Sequence, residues 1–483
     1  MTFEGQDDTA SKRAFFIPEH LFRGEFELAT SNAVSQASML LDIPFITVTK
    51  PDRIGHMADW DNQAGAGPQT GGQAAEDDGQ WLFSSIMDTG ARQQQQQAGG
   101  VAKRPGTRTA MPARPTGPRR GFPPTAAVRR VIRDPSIQPE ASWRLLEEVE
   151  FSRLSKLSFA PEEPTVVSSN GSAPVIDAAF AKLTAKQERP LGVLEAAPQK
   201  TPSVLDDTGF DELIAKEDAA SQIVISSDAV LSMLMCSVKT VVPWDIFITK
   251  HPRHRNVLVL DKRADSDLDA VLVNETKPDV FNEEKKDNIN FYANLAIEAS
   301  RINANLPTLL TGGKTESMTR YVRWSLGDRL VLIVRGAVNA ASDPATPVLL
   351  RGLLEYDWGR GAMDWRRRLD GQKASVVAAE LQNNNAQMSR WILSSVLLSV
   401  EQIKLAFLSR LNPRDRTRHA ILGLHDIDPY ELSNQMGVDL SNAFGIVKSF
   451  ALRFFEGDLQ GVQSEVVVMR DAQKAMLRMY ARE

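Results

Sequence analysis

The sequence predicts a mixed α+β domain behind a largely disordered N-terminal arm. Three observations carry this expectation. Between residues 221 and 480, short runs rich in Val, Ile and Leu alternate with longer runs of helical spacing. Residues 61–140 are low in complexity, with Gly, Gln, Ala and Pro in excess and a glutamine tract from Gln93 to Gln97. The whole chain is 42% hydrophobic and 24% charged, the composition of a protein that buries a core. Its 483 residues leave room for one large domain with extensions, or for two to three ordinary domains.

Residues 1–60 mix short apolar stretches with turn residues and read as extended segments that dock on a partner. Within 61–140, the island Trp81-Leu82-Phe83 has the look of a partner-binding peptide. From Thr89 to Arg133 the chain carries basic residues and no acidic one, broken by Pro and Gly, so no long helix forms there. Such an arm suits contact with phosphate backbones of RNA or the ribosome, and a solvated linker fits it as well. Residues 141–220 hold short patterned pieces expected to pack outside the main domain. There SWRLLEEVEF has helical or mixed spacing.

In 221–480 the expected strands are SQIVISS, WDIFITKH, NVLVLDKR, AVLVNET, RYVRWSLGDRLVLIVRGAV, PVLLRGLLEYDW and ASVVAAELQNN. Expected helices are DAVLSMLMCSVKT, FYANLAIEASRINANL, AQMSRWILSSVLLSVEQIKLAFLSR and the run from Ala443 before the last strand. The net charge of −5 gives no global signal for polyanion binding, so any nucleic-acid surface is local. A single cysteine, Cys236, rules out an intramolecular disulfide and fits a reducing compartment. The longest apolar runs, such as Trp391 to Val400, are too short for a bilayer, and the polar, acidic N-terminus argues against a signal peptide. His251 and His254 flank a proline and suit a turn better than a zinc site, and TGGK at 311–314 lacks the spacing of a phosphate loop.

The stretch Leu354–Asn385 holds the residues of most chemical interest. Glu355 and Asp357 lie two apart, as do Glu380 and Gln382. On strands each pair shares a face, and acidic groups on adjacent strands followed by E-x-K resemble a nuclease metal site. Gln382 stands at the lysine position, and a neutral amide cannot supply that charge.

An ordered series of segments then resembles the family of the D component of eukaryotic translation initiation factor 3. It comprises KPDRIGHMADW (Lys50–Trp60), WRLLEEVEFSRLSKLSF, SSDAVLSMLMCSVKTVVPWDI, DKRADSDLD (Asp261–Asp269), NLAIEASRINAN (Asn294–Asn305), RYVRWSLGDRLVLIVR (Arg320–Arg335), MDWRRRLDGQKASVVAAELQNNN, SRWILSSVL, RHAILG and SNAFGIVK. The resemblance implies a peripheral, non-catalytic subunit with no cofactor or metal, cytoplasmic, on the small ribosomal subunit. Its partners would be messenger RNA and other subunits of initiation factor 3, and no membrane. Among those subunits the chief contact would be the E component, through residues 1–60, with the A and C components as further contacts. The resemblance also implies that 221–480 is similar to decapping nucleases of the DXO type and binds the messenger 5′ cap. The acidic set Glu355, Asp357, Glu380 and Gln382 is then vestigial.

The resemblance carries cap contacts onto Asp228, Val241 and Val242 around one helix, and onto Ser300, Asn303 and Ala304 on another. Family members often have an aromatic residue where Val242 stands and a histidine where Ala304 stands. Trp244, Trp324 and Trp358 are candidates to stack on a base in place of Val242. Lys277 to Asn290 occupies the place of a family insertion that covers the RNA channel, and reads equally as a gate or an inert loop. A positive channel is expected from some of Lys262, Arg263, Arg301, Arg323, Arg366, Arg367, Arg368 and Lys373. The acidic tail of many members has no counterpart at MYARE, so regulation through it is not expected. Two other readings stay open: a scaffold that has lost cap binding, and a metal-dependent RNA-processing nuclease.

Overall fold

The computed structural model describes residues 133–482, except 195–196, 198–199, 278–287, 315, 328 and 357–361. The docking segment, most of the basic arm, the body of the Lys277–Asn290 loop, Asp357 and Trp358 therefore lie outside the described residues.

The described chain is mixed α+β, as the sequence predicts. In order it forms β1 (Arg144–Glu150), α1 (Phe151–Leu154), β2 (Thr165–Asn170), β3 (Arg189–Pro190), α2 (Thr208–Ile214), β4 (Gln222–Ser227) and α3 (Asp228–Met235). Then come β5 (Asp245–Lys250), β6 (Val257–Asp261), α4 (Tyr292–Leu310), β7 (Met318–Ser325), β8 (Leu330–Val338), β9 (Ala340–Asp343) and β10 (Thr346–Leu354). After these follow α5 (Trp365–Arg368), α6 (Lys373–Asn383), α7 (Asn385–Leu397), β11 (Ile403–Asn412) and β12 (Asp415–Ile427). Last are α8 (Pro429–Gln435), α9 (Leu440–Phe455), β13 (Glu465–Arg470) and β14 (Met476–Arg482).

Two sheets organise these elements. The larger runs β1-β14-β13-β5-β6-β4-β8-β7-β2, and the smaller runs β3-β12-β11-β10-β9. β4 is parallel to both β6 and β8, β10 is parallel to β11, and the remaining pairs are antiparallel. Alternation along the strands sets the layers. In the large sheet, Val224, Leu258 and Leu332 face the principal core, while Ile223, Val257 and Ile333 face a second cluster with Phe210 of α2. In the small sheet, Leu349 and Phe407 turn toward the principal core, and Leu350 and Leu408 toward a third cluster with Ile302 and Leu306 of α4. Helices α3, α7 and α9 contribute to the principal core between the sheets, which explains why α7 is buried along its whole length.

Several expectations need correction. ASVVAAELQNN is not a strand but α6, with Val376 and Glu380 buried one turn apart. Ala, Glu, Leu and Gln favour helix, and that outweighs the two β-branched valines. AVLVNET is not a strand: it runs as irregular chain and turns at Asn274, which has φ 50°. SWRLLEEVEF gives a strand, β1, which Phe151 ends by starting α1. The helix from Ala386 stops at Leu397, Ser399 turns with φ 51°, and IKLAFLSRLN is β11. Among the described residues, no helix is long and apolar enough to cross a membrane.

Candidate nucleic-acid interface

A cavity of about 590 Å³ opens between the C-terminal ends of β4 and β8, helices α3, α4 and α7, and the segment from Lys200 to Asp207. Its size falls within the range of small-molecule sites. Asp228, Ser300, Asn303 and Ala304 all line it. Val241 and Val242 do not belong to this lining. They follow the other end of α3, partly buried, where the Thr240 carbonyl accepts from Arg470 at 2.9 Å.

Local chemistry places Asp228. Ser227 caps α3 by accepting from the Val230 N–H at 3.3 Å, so Asp228 begins the helix. Its carboxylate accepts from the Ser394 hydroxyl of α7. Burial pushes its carboxyl above the ordinary value, opposed by that hydrogen bond and by the charge of Arg351. Gly336 of β8 permits the close approach, since a Cβ there would lie 2.7 Å from Asp228 Oδ1. Ser300 and Asn303 lie on one face of α4, three residues apart. The Ser300 hydroxyl accepts from Val271 N–H at 2.9 Å. Asn303 donates to the Gly352 carbonyl at 2.9 Å and accepts from its N–H at 2.8 Å, so its amide straps α4 to β10.

The Lys200–Asp207 wall is stapled to the sheet by acids and an arginine. Asp261 accepts from Ser203 and Val204, both at 2.7 Å. Asp269 accepts from Thr201 N–H at 2.9 Å and pairs with buried Lys262 at 2.7 Å. Asp207 accepts from the Tyr321 hydroxyl at 2.7 Å and pairs with Arg335 at 2.8 Å. Arg351 of β10 and Arg390 and Trp391 of α7 complete the far side of the cavity. Sequence reasoning missed these three. For Arg351 the available signal was an arginine inside the apolar run VLLRGLL, where an unpaired charge is costly; Arg390 and Trp391 sit in the mixed run MSRWILSS and carried no comparable signal.

The residues expected to form a positive channel do not line this cavity. Lys262 pairs with Asp269, Arg263 with Asp245 at 2.6 Å, Arg323 with Glu217 at 2.6 Å, and Arg366 with Glu188 at 2.6 Å. Arg367 is exposed beside Asp364, Arg368 is half-buried at the end of α5, and Arg301 and Lys373 are exposed. None of these eight lines the 590 Å³ cavity. Trp244 and Trp324 are core residues, the latter donating to the Leu397 carbonyl at 3.0 Å. Of the proposed gate loop, Lys277 begins and Asn290 ends the segment. Asn290 is buried and accepts from Arg410 at 2.8 Å.

The acidic set lies elsewhere and has a different geometry from the one its spacing suggests. β10 runs beside β11, not beside the Glu380 segment, so Glu355 N–H donates to the Leu408 carbonyl at 2.8 Å and Ser409 stands next to it. Glu380 and Gln382 are on helix α6, two residues apart and therefore on different faces. Glu355 and Glu380 nonetheless meet at Trp365. Glu355 Oε1 accepts from the Trp365 N–H at 2.7 Å, and the Trp365 side chain donates to Glu380. Asn384 also donates to Glu380, at 2.9 Å. Burial pushes the Glu380 carboxyl up to about 7 and raises that of Glu355. Glu380 is sealed against the Trp365 indole and Glu355 against the Trp365 backbone N–H. Among the described residues no group of three or more His, Cys, Asp or Glu is placed to hold a metal.

A family model described as eukaryotic translation initiation factor 3 subunit 7 matches residues 69–481. The D component of eukaryotic translation initiation factor 3 from Arabidopsis thaliana is 33% identical over 369 residues, covering 71% of this chain and 60% of that protein. Its Sclerotinia sclerotiorum counterpart is 32% identical over 388 residues, covering 72% and 65%. The Xenopus laevis counterpart is 30% identical over 383 residues, covering 72% and 66%. The matches thus span less than two thirds of the length of these curated relatives. Among solved structures, S. pombe Rai1 in complex with 3′-FADP is similar at 12% identity and a TM-score of 0.44, over 70% of this chain and 100% of that one. K. lactis Dxo1 in complex with manganese is similar at 9% identity and a TM-score of 0.42, over 70% and 98%. Those structural likenesses are loose. By the match over 69–481, this chain belongs to the eukaryotic translation initiation factor 3 subunit 7 family, to which the D components of that factor are similar in sequence along with it.

Proposed function

We propose that the protein is a non-catalytic subunit of translation initiation factor 3 that binds messenger RNA on the small ribosomal subunit, and that the 5′ end of the RNA enters the 590 Å³ cavity. The observation that carries this reading is the convergence on one cavity of a carboxylate, Asp228, with three arginines, Arg335, Arg351 and Arg390. A carboxylate accepts from the edge of a guanine, and guanidinium groups pair with phosphate. The N-terminal segment would join the protein to its partner subunits in the cytoplasm, the E component first among them, with the A and C components beside it.

A second reading, a scaffold that has lost selectivity for the methylated cap, is favoured by specific residues. A cationic base is normally held between aromatic faces. Val242 lies away from the cavity, and Ala304 offers no hydrogen-bond donor. Tyr321 and Trp391, the aromatic residues of the lining, are only 4% and 6% exposed. Crosslinking of the full chain to a capped oligonucleotide, competed by cap analogue, separates the two. Competition by the analogue supports cap recognition, and equal crosslinking of uncapped RNA assigns the site to RNA without cap selectivity. Failure to crosslink any RNA refutes the proposal. A nuclease is disfavoured by the sealing of Glu355 and Glu380 against Trp365. Cleavage of capped or 5′-phosphorylated RNA dependent on Mg²⁺ or Mn²⁺ would overturn the non-catalytic assignment.

A further inference from the structure

Buried Lys262, Arg335 and Arg410 are each matched by a carboxylate at ion-pair distance. Buried Arg320 and Arg470 donate to backbone carbonyls instead. Arg351 and Arg390 also bond to backbone carbonyls, and unlike Arg320 and Arg470 they line the 590 Å³ cavity. Arg351 donates from Nη1 to the carbonyl of its own neighbour Leu350 at 3.1 Å. Arg390 is 7% exposed and donates to the Leu268 carbonyl at 2.6 Å and, at 3.5 Å, to that of Ala270. Its Nε is buried with no partner. Among the described residues neither guanidinium is ion-paired, yet both line the same cavity and repel one another.

The nearby carboxylates attract Arg390 from beyond ion-pair distance: Glu275 is turned to the start of α7, and Asp269 is occupied by Lys262 and by Thr201. Asp228 attracts both arginines at longer range, but its hydrogen bond goes to Ser394. Two like charges beside one void, Arg390 buried and Arg351 half-buried, are costly unless an anion stands between them. A planar guanidinium pair is also the side-chain chemistry best matched to phosphate oxygens.

We propose that Arg351 and Arg390 form an anion subsite in the cavity wall that takes the phosphate or phosphoanhydride groups at the 5′ end of an RNA. This rests on the reading that RNA enters the cavity, and it assigns the phosphates, as distinct from the base, to two residues. It makes the 5′-phosphate state of the RNA a determinant of affinity.

The test uses the full chain with inorganic tripolyphosphate as probe, followed by thermal unfolding and by competition against a labelled oligonucleotide carrying a 5′-triphosphate. Arg351→Gln and Arg390→Gln are compared with the wild type and with Arg418→Gln, whose partner Asp415 lies on a distant exposed turn. Loss of two charge-assisted contacts corresponds to a weakening of roughly tenfold or more in each variant. Because Arg390 also holds two carbonyls, Arg351→Gln decides the matter if Arg390→Gln fails to fold, since among the described residues Arg351 bonds to its neighbour alone. The inference is supported if tripolyphosphate raises the melting temperature of the wild type and of Arg418→Gln but not of Arg351→Gln. It is overturned if the wild type shows no shift, or if Arg351→Gln shifts equally. The RNA arm judges the wider reading by itself. Binding of 5′-triphosphate and 5′-hydroxyl oligonucleotides with equal affinity removes the subsite and leaves RNA binding intact. A tripolyphosphate shift without any RNA binding removes the RNA reading and leaves the subsite.

Discussion

Glu275 offers a measurable case of a buried charge that the fold tolerates at a cost. It is fully buried two residues before Lys277. Its Oε1 accepts from the Ala386 and Gln387 N–H groups at 2.6 and 3.2 Å, at the start of α7, while Oε2 has no partner. Burial outweighs those bonds and the attraction of Arg390, and pushes its carboxyl from 4.5 up to about 7. A raised carboxyl in the folded state means that the native protein holds its proton more tightly than the unfolded chain. Stability linked to this group is therefore present at low pH and is lost as pH rises from about 4.5 to about 7. The loss, complete above that window, amounts to about 3 kcal/mol. Glu275→Gln keeps the oxygen that caps α7 and removes the charge. Urea unfolding of both proteins at pH 4 to 8 reads the difference. The variant should match the wild type at pH 4, exceed it by less than about 1 kcal/mol at pH 5, and exceed it by about 3 kcal/mol at pH 8. A difference independent of pH, or a variant less stable at pH 8, would show that the helix terminus and the arginines stabilise the carboxylate more than burial opposes it.

Other perturbations separate structural from binding roles. Glu298 of α4 is buried against Arg410 at 2.5 Å and His419 at 2.8 Å, so Glu298→Ala strands a buried arginine and should cost roughly 3–5 kcal/mol in urea unfolding. Asn303→Ala removes both bonds to Gly352. It should lower stability by about 1–3 kcal/mol, and an unchanged unfolding midpoint would show that the strap carries nothing. Gly336→Ala sets a methyl 2.6 Å from Leu398 Cδ1 and 2.7 Å from Asp228 Oδ1. It should destabilise by about 1–3 kcal/mol and weaken oligonucleotide binding in a filter assay.

Much of the large sheet is legible because its strands carry one apolar pattern each, and β4, β5, β6, β7 and β8 read directly from it. The capped start of α3 at Asp228 is equally local. What cannot be read is anything settled by distant partners. β1 and β2 fall near one another in sequence yet close opposite edges of the nine-stranded sheet, through β14 and β7. Glu380 reads as a strand residue beside Glu355 because Val376 and Val377 lend the run a β-branched character. The Ala, Glu, Leu and Gln of the run favour its helix, and burial of Val376 and Glu380 near Trp365 fixes which face packs. The cavity shows the same limit. Asp228, Ser300 and Asn303 sit in recognisable segments, whereas Arg351 and Arg390 gain meaning only when β10 and α7 bring them to one wall.

That wall bears on how the proposed RNA site would discriminate. The polar groups first expected to read a base are largely engaged within the fold: Asn303 on Gly352, Ser300 on Val271, and Asp228 partly on Ser394. Using them for a ligand means breaking bonds that hold α4 to β10 and α3 to α7, and that loss offsets the gain. Arg351 carries no such constraint, since its bond is to its own neighbour, and although Arg390 holds the Leu268 and Ala270 carbonyls, an arriving phosphate relieves the mutual repulsion of the pair. A site built this way draws its affinity from phosphate and leaves the base to shape. Its binding should therefore fall with rising salt, and one substitution at Arg351 should flatten that dependence more than one at Asn303.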